Sequence, residues 1–141
     1  MNLAIFKDAD ARIPGARIRQ LFERVVRNEG HARKRGSVNL IITDNKGIRQ
    51  LNRQFRSQDK ATDVLSFNLE SGEKPGSVLG EIYLSAEYAR TQAESHGHGV
   101  WDEYILLVCH GLLHLFGYDH ADLSEERAMF ALQTKYLKRR A

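Results

Sequence analysis

Three of the six histidines in this 141-residue chain stand in one short stretch, His110-Gly111-Leu112-Leu113-His114-Leu115-Phe116-Gly117-Tyr118-Asp119-His120. Four residues of α-helix turn through roughly 400°, so His110 and His114 share a face one turn apart and can chelate one ion. Gly117 follows where a left-handed residue ends a helix without a Cβ penalty, and the chain can then double back to bring His120 to the same point. Three imidazoles around a zinc ion leave the fourth position open to water, the arrangement of a catalytic site rather than a closed structural one. One Zn²⁺ per chain is therefore expected on His110, His114 and His120, although imidazole ligands suit nickel as well.

The spacing H-x-x-x-H-x-x-G-x-x-H is that of metzincin proteases, with one difference. Gly111 stands where the glutamate base of those enzymes belongs, which argues against peptide hydrolysis by that route. Asp119 is placed either to orient an imidazole N–H or to cap the turn after Gly117. Tyr118 packs on the helix end in preference to touching substrate. Cys109, about 100° round the helix from His110, reads as a core residue rather than a fourth ligand. His96 and His98 read as exposed connector residues in a glycine-rich helix end.

The elements that position these residues follow from periodicity. Leu3 to Phe6 reads as a first strand. A helix opens at Pro14 and runs to about Asn28, burying Ile18, Leu21, Phe22, Val25 and Val26 and exposing Arg17, Arg19, Arg24 and Arg27. After a basic connector, 31–36, Val38 to Thr43 is a β-branched strand. Asp44 caps a second helix to about Phe55, with Ile48, Leu51 and Phe55 buried and Arg49, Arg53 and Arg56 exposed or nearly so. Thr62 to Leu69 reads as a strand with Leu65, Phe67 and Leu69 toward the core and Val64, Ser66 and Asn68 on the other face. Turn-forming residues across 70–76 then return the chain antiparallel through Val78 to Leu84. Ser85 caps a third helix to about Ser95. Trp101 to Phe116, apolar on most sides, is a buried central helix, and Ser124 with Glu125 and Glu126 opens a last helix whose C-terminal end carries Lys135, Lys138, Arg139 and Arg140. The fold class is α+β, one domain spanning 1–141, with a mixed sheet of about four strands covered by about five helices.

The N-terminus lacks a basic region followed by a long apolar run, and a single cysteine fits a reducing compartment, so a soluble cytoplasmic protein is expected. Charge is unevenly spread: residues 1–56 hold 13 Lys and Arg against 5 Asp and Glu, a net +8, whereas residues 57–141 are net −5. A basic half suits a polyanionic partner. Arg49, Arg53, Ser66 and Asn68 are the candidate substrate contacts. On its own, Arg56 reads as a surface residue at a helix end.

From about Leu40 onward the chain resembles the YbeY family of bacterial endoribonucleases and ribosomal-RNA maturation factors. The likeness rests on the His110 to His120 motif, on Phe55-Arg56 followed by Thr62-Asp63-Val64-Leu65-Ser66-Phe67, on Gly80-Glu81-Ile82 and on Met129-Phe130. Glu81 departs from the family's usual Asp. The resemblance implies a zinc site on His110, His114 and His120, with Arg56 and His114 as catalytic residues. It further implies single-strand-specific RNA cleavage in 16S rRNA 3′-end maturation and 70S ribosome quality control. The partners implied are small-subunit rRNA, the small ribosomal subunit and an Era-type assembly GTPase, with no membrane. The other two function classes are a non-catalytic ribosome-assembly factor with structural zinc and a zinc peptidase with an unusual base.

Overall fold

A computed structural model describes residues 1–29, 36–60, 62–69, 78–118 and 122–137. Among these residues nine elements follow in order: β1 (Asn2–Lys7), α1 (Gly15–Glu29), β2 (Ser37–Thr43), α2 (Asn45–Arg56), β3 (Val64–Asn68), β4 (Val78–Ser85), α3 (Ala86–His96), α4 (Val100–Leu115) and α5 (Leu123–Leu137). The strands form one mixed sheet in the order β1-β2-β4-β3. β2 runs parallel to both β1 and β4, and β3 pairs antiparallel with β4, in a register that sets Ser66 opposite Ile82. Parallel neighbours need crossover connections, and α1 supplies the one between β1 and β2.

α4 is the centre of the molecule. It packs against α1, α3, α5 and strands β3 and β4. Leu107, Val108, Cys109, Leu112 and Leu113 are buried along it, and they join Leu40, Ile42, Ile82 and Leu84 of the sheet in one core. Burying each leucine or isoleucine contributes about 1.5–3 kcal/mol, so this layer holds α4 rigidly on the sheet. No helix among the described residues is long and apolar enough to cross a membrane.

The expected elements are present within a residue or two at their ends, but several faces differ. On α2, Ile48 is buried, yet Phe55 is 59% exposed and Asn52 takes the inner place. The Asn52 amide donates to Lys60 O at 3.0 Å, which satisfies a polar group that apolar periodicity discounts. On β3, Leu65 is buried, Phe67 half-buried and Leu69 37% exposed, because Leu69 lies just past the end of the strand. The face bearing Ser66 is the one that meets α4: Ser66 Oγ donates to Gly111 O at 3.0 Å. α5 is capped by Asp122 rather than Ser124, since Asp122 Oδ1 accepts from Glu125 N at 2.8 Å. The connector 31–35, the hairpin loop 70–76, and Lys138, Arg139 and Arg140 lie outside the described residues.

Candidate active-site cleft

Helix geometry does what the spacing requires. His110 and His114 project from one side of α4, and their Nε2 atoms stand 3.0 Å apart. The helix then stops where expected: Gly117 has φ +98°, its N–H donates to His114 O, and Tyr118 N–H donates to Leu113 O. This pair of bonds is the Schellman closure that a glycine permits. His120 and Asp119, expected beyond this turn as third ligand and orienting carboxylate, lie outside the described residues.

Gly111 has a packing role that its sequence position does not reveal. A Cβ there would lie 2.9 Å from Ile82 Cγ2 and 3.1 Å from Ser66 Oγ. The residue where a protease carries its glutamate is thus a point of close approach between α4 and the sheet.

The two histidines open into a cleft of about 520 Å³. Arg56, Asp63, Ser66, Asn68 and Tyr118 line it with them. Arg56 is steered here from the end of α2 by a bond from its Nη2 to Ser66 O, 2.8 Å, and its guanidinium stacks 5.3 Å from the Phe67 ring centre. Tyr118 is half-buried and its hydroxyl donates to Glu29 at 2.7 Å; that bond to a carboxylate raises the phenol's pKa. Glu29 also accepts from the Tyr136 hydroxyl, so this nearly buried carboxylate ties α1 to α5 and to the end of α4. Cys109 is fully buried, and burial pushes its thiol up to about 12, which fits a core residue rather than a ligand.

Of the proposed substrate contacts, Ser66 and Asn68 line the cleft whereas Arg49 and Arg53 do not. Arg49 is held by Asp59 in a two-pronged bond, 2.7 and 3.1 Å, beside a separate hollow. The basic face of α1 is also partly committed: Arg17 pairs with Asp102 at 3.0 Å, Arg19 donates to Leu3 O and Arg24 to Tyr136 O. Beyond Arg56 a second hollow of about 350 Å³ is walled by Phe55, Phe67 and Tyr83, with Phe55 and Tyr83 each edge-on to Phe67.

Gln133, behind His110, and Asp63, in the cleft wall, carried no functional reading in the sequence. Gln133 of α5 places its amide 2.8 Å from His110 Nδ1; no motif marks it, and only the packing of α5 on α4 brings it there. Asp63 had a signal, a carboxylate directly before an apolar strand, and its Oδ1 accepts from Val64 N at 2.8 Å. His96 and His98 are exposed as expected, but they are not idle connectors: both imidazoles bond to the buried Glu103, at 2.8 and 2.6 Å.

The donor set suits a metal ion at the cleft. Two imidazole Nε2 atoms converge, and the Gln133 carboxamide beside His110 Nδ1 orients that ring; with the amide turned so that its oxygen accepts the Nδ1–H, Nε2 keeps its lone pair for an ion. The fold and the cleft together define an α+β protein that carries a histidine pair on a central helix, faced by an arginine from a neighbouring helix. Comparison with known proteins places it further. The model of the endoribonuclease YbeY family matches residues 4–141. The chain is 38% identical to the endoribonuclease YbeY of Bacillus licheniformis over 94% of this chain and 90% of that protein. It is 55% identical to the Nautilia profundicola endoribonuclease YbeY over 64% of this chain; that match spans 65% of the relative, just under two thirds. A Thermotoga maritima protein solved in solution superposes with a TM-score of 0.62 at 30% identity, over 96% of this chain and 86% of that one. The chain belongs to the endoribonuclease YbeY family.

Proposed function

We propose that this protein is a metal-dependent endoribonuclease that cuts single-stranded RNA. The observation that carries the reading is the convergence of His110 and His114 Nε2 in the same cleft as the Arg56 guanidinium. With His120 these histidines would hold a zinc ion, which would supply Lewis acidity and lower the pKa of a water to near neutrality. The chain's own residues do the rest. Arg56, anchored on Ser66 O, neutralises negative charge that builds on non-bridging phosphoryl oxygens, a task for a guanidinium fork that peptide hydrolysis does not pose. Gln133 holds the His110 ring in orientation. Asn68 offers an exposed amide at the cleft rim, and the aromatic hollow beyond Arg56 offers faces on which bases stack. A zinc peptidase is disfavoured because position 111 has no room for a glutamate.

Family membership supports a place in 16S rRNA 3′-end maturation and ribosome quality control in the cytoplasm, with the small subunit and an Era-type GTPase as partners. The test is cleavage of single-stranded RNA by wild type and His114→Ala. A catalytic centre predicts lost cleavage in a protein with unchanged circular dichroism. Retained cleavage overturns the reading, and loss of the fold would instead identify a structural metal.

A further inference from the structure

At the junction of α3 and α4, about two helical turns from the cleft, a second set of metal-type ligands is assembled. Gly97, at φ +71°, ends α3 and directs its N–H to Ala93 O and Glu94 O, while His98 N donates to Ala93 O at 3.1 Å. This left-handed turn places the histidines on either side of Gly97 next to the first turn of α4. There His96 Nδ1 and His98 Nε2 approach the same oxygen, Glu103 Oε1, at 2.8 and 2.6 Å. Their rings are 5.5 Å apart at 69°. Glu103 itself is 0% exposed. With the Gln92 amide nitrogen turned toward it, its other oxygen accepts a 3.2 Å bond, and the same nitrogen reaches Asp63 at the cleft.

One imidazole N–H would suffice to pair the buried carboxylate oxygen; here two arrive through different ring nitrogens, and the three ligand atoms all lie within 4.8 Å of one another. We propose that His96, His98 and Glu103 form a second divalent-cation site, separate from His110 and His114, that clamps the end of α3 to the start of α4. Two imidazoles and a carboxylate are a donor set zinc accepts, and they favour zinc, nickel or copper over magnesium or calcium. Bonds of about 2.0–2.1 Å at tetrahedral angles separate ligand atoms by about 3.3 Å. The rings therefore have to draw back from the carboxylate oxygen by about 0.5 to 0.7 Å, which is easy for side chains 46% and 34% exposed. Solvent completes the coordination.

The test uses the full chain, stripped with chelator and titrated with Zn²⁺ by calorimetry and native mass spectrometry. Wild type should bind one ion more per chain than the His96→Ala/His98→Ala variant, whatever the cleft binds. His96→Ala alone should weaken that step by at least tenfold. In a His114→Ala background, Zn²⁺ should still raise the melting temperature, and adding His98→Ala should remove the rise. RNA cleavage by the His96→Ala/His98→Ala variant should persist. Equal stoichiometry in wild type and the folded double variant overturns the proposal.

Discussion

Replacing Gly111 with alanine puts two opposing effects in competition at a tight contact between α4 and the sheet. A new Cβ would sit 2.9 Å from Ile82 Cγ2, 3.1 Å from Ser66 Oγ and 3.3 Å from Ile82 Cδ1. Ordinary carbon contacts lie at about 3.5–4.0 Å, so helix and strand must part by about 0.6 Å. Ile82 is 0% exposed, and Cγ2 is attached at its Cβ, so the methyl cannot swing away. Overpacking of this kind costs about 1–3 kcal/mol, whereas alanine in place of glycine within a helix returns about 0.8–1.0 kcal/mol. The expected net result is destabilisation of about 1 kcal/mol, seen as a melting temperature lower by about 2–6 °C. Thermal unfolding of metal-stripped protein, followed by circular dichroism, measures it. Because the strain falls between His110 and His114, RNA cleavage should drop as well. A melting temperature at or above wild type would show that α4 is not pinned to β4 here.

Arg56→Lys should cut RNA cleavage nearly as severely as Arg56→Ala, because an ammonium lacks the paired donors of the fork, while bound metal stays at the wild-type level; kinetics together with metal analysis decide this. Cys109 should resist alkylation in the native state at pH 8 and react only on unfolding. Its folded pKa is raised from 9.0 to about 12, so the stability it lends is complete below about pH 9 and is lost as pH rises toward 12; denaturant titrations of wild type and Cys109→Ala should converge accordingly. Glu29→Ala, which leaves the Tyr118 and Tyr136 hydroxyls without their acceptor, should lower stability by about 2–5 kcal/mol in guanidinium melts, and a loss under 1 kcal/mol would contradict the tie between α1, α4 and α5.

Much of this molecule is local, and what is local was legible. The 3.6-residue period put His110 and His114 on one face of a helix, Gly117 ended that helix, and Asp44 and Ser85 capped theirs. Each of these depends on backbone geometry within a few residues. Which way a face points depends on what covers it. Phe55 is apolar but lies open beside the cleft, and Asn52 is polar but buried, because α2 meets only part of the sheet and a loop carbonyl satisfies the amide. The arginines of α1 and α2 look alike in sequence, yet Arg17 and Arg49 are neutralised by Asp102 and Asp59, whereas Arg56 is drawn into the cleft by Ser66 O.

The sequence by itself determined the histidine helix, the family and the donor types, since ligand spacing and turn chemistry are written in consecutive residues. Tertiary structure alone decided that Gly111 is a wedge between layers, that Gln133 steadies His110, and that His96 and His98 gather on a carboxylate. Those contacts join residues whose proximity is set by helix packing on a sheet, a geometry that no short stretch of chain encodes.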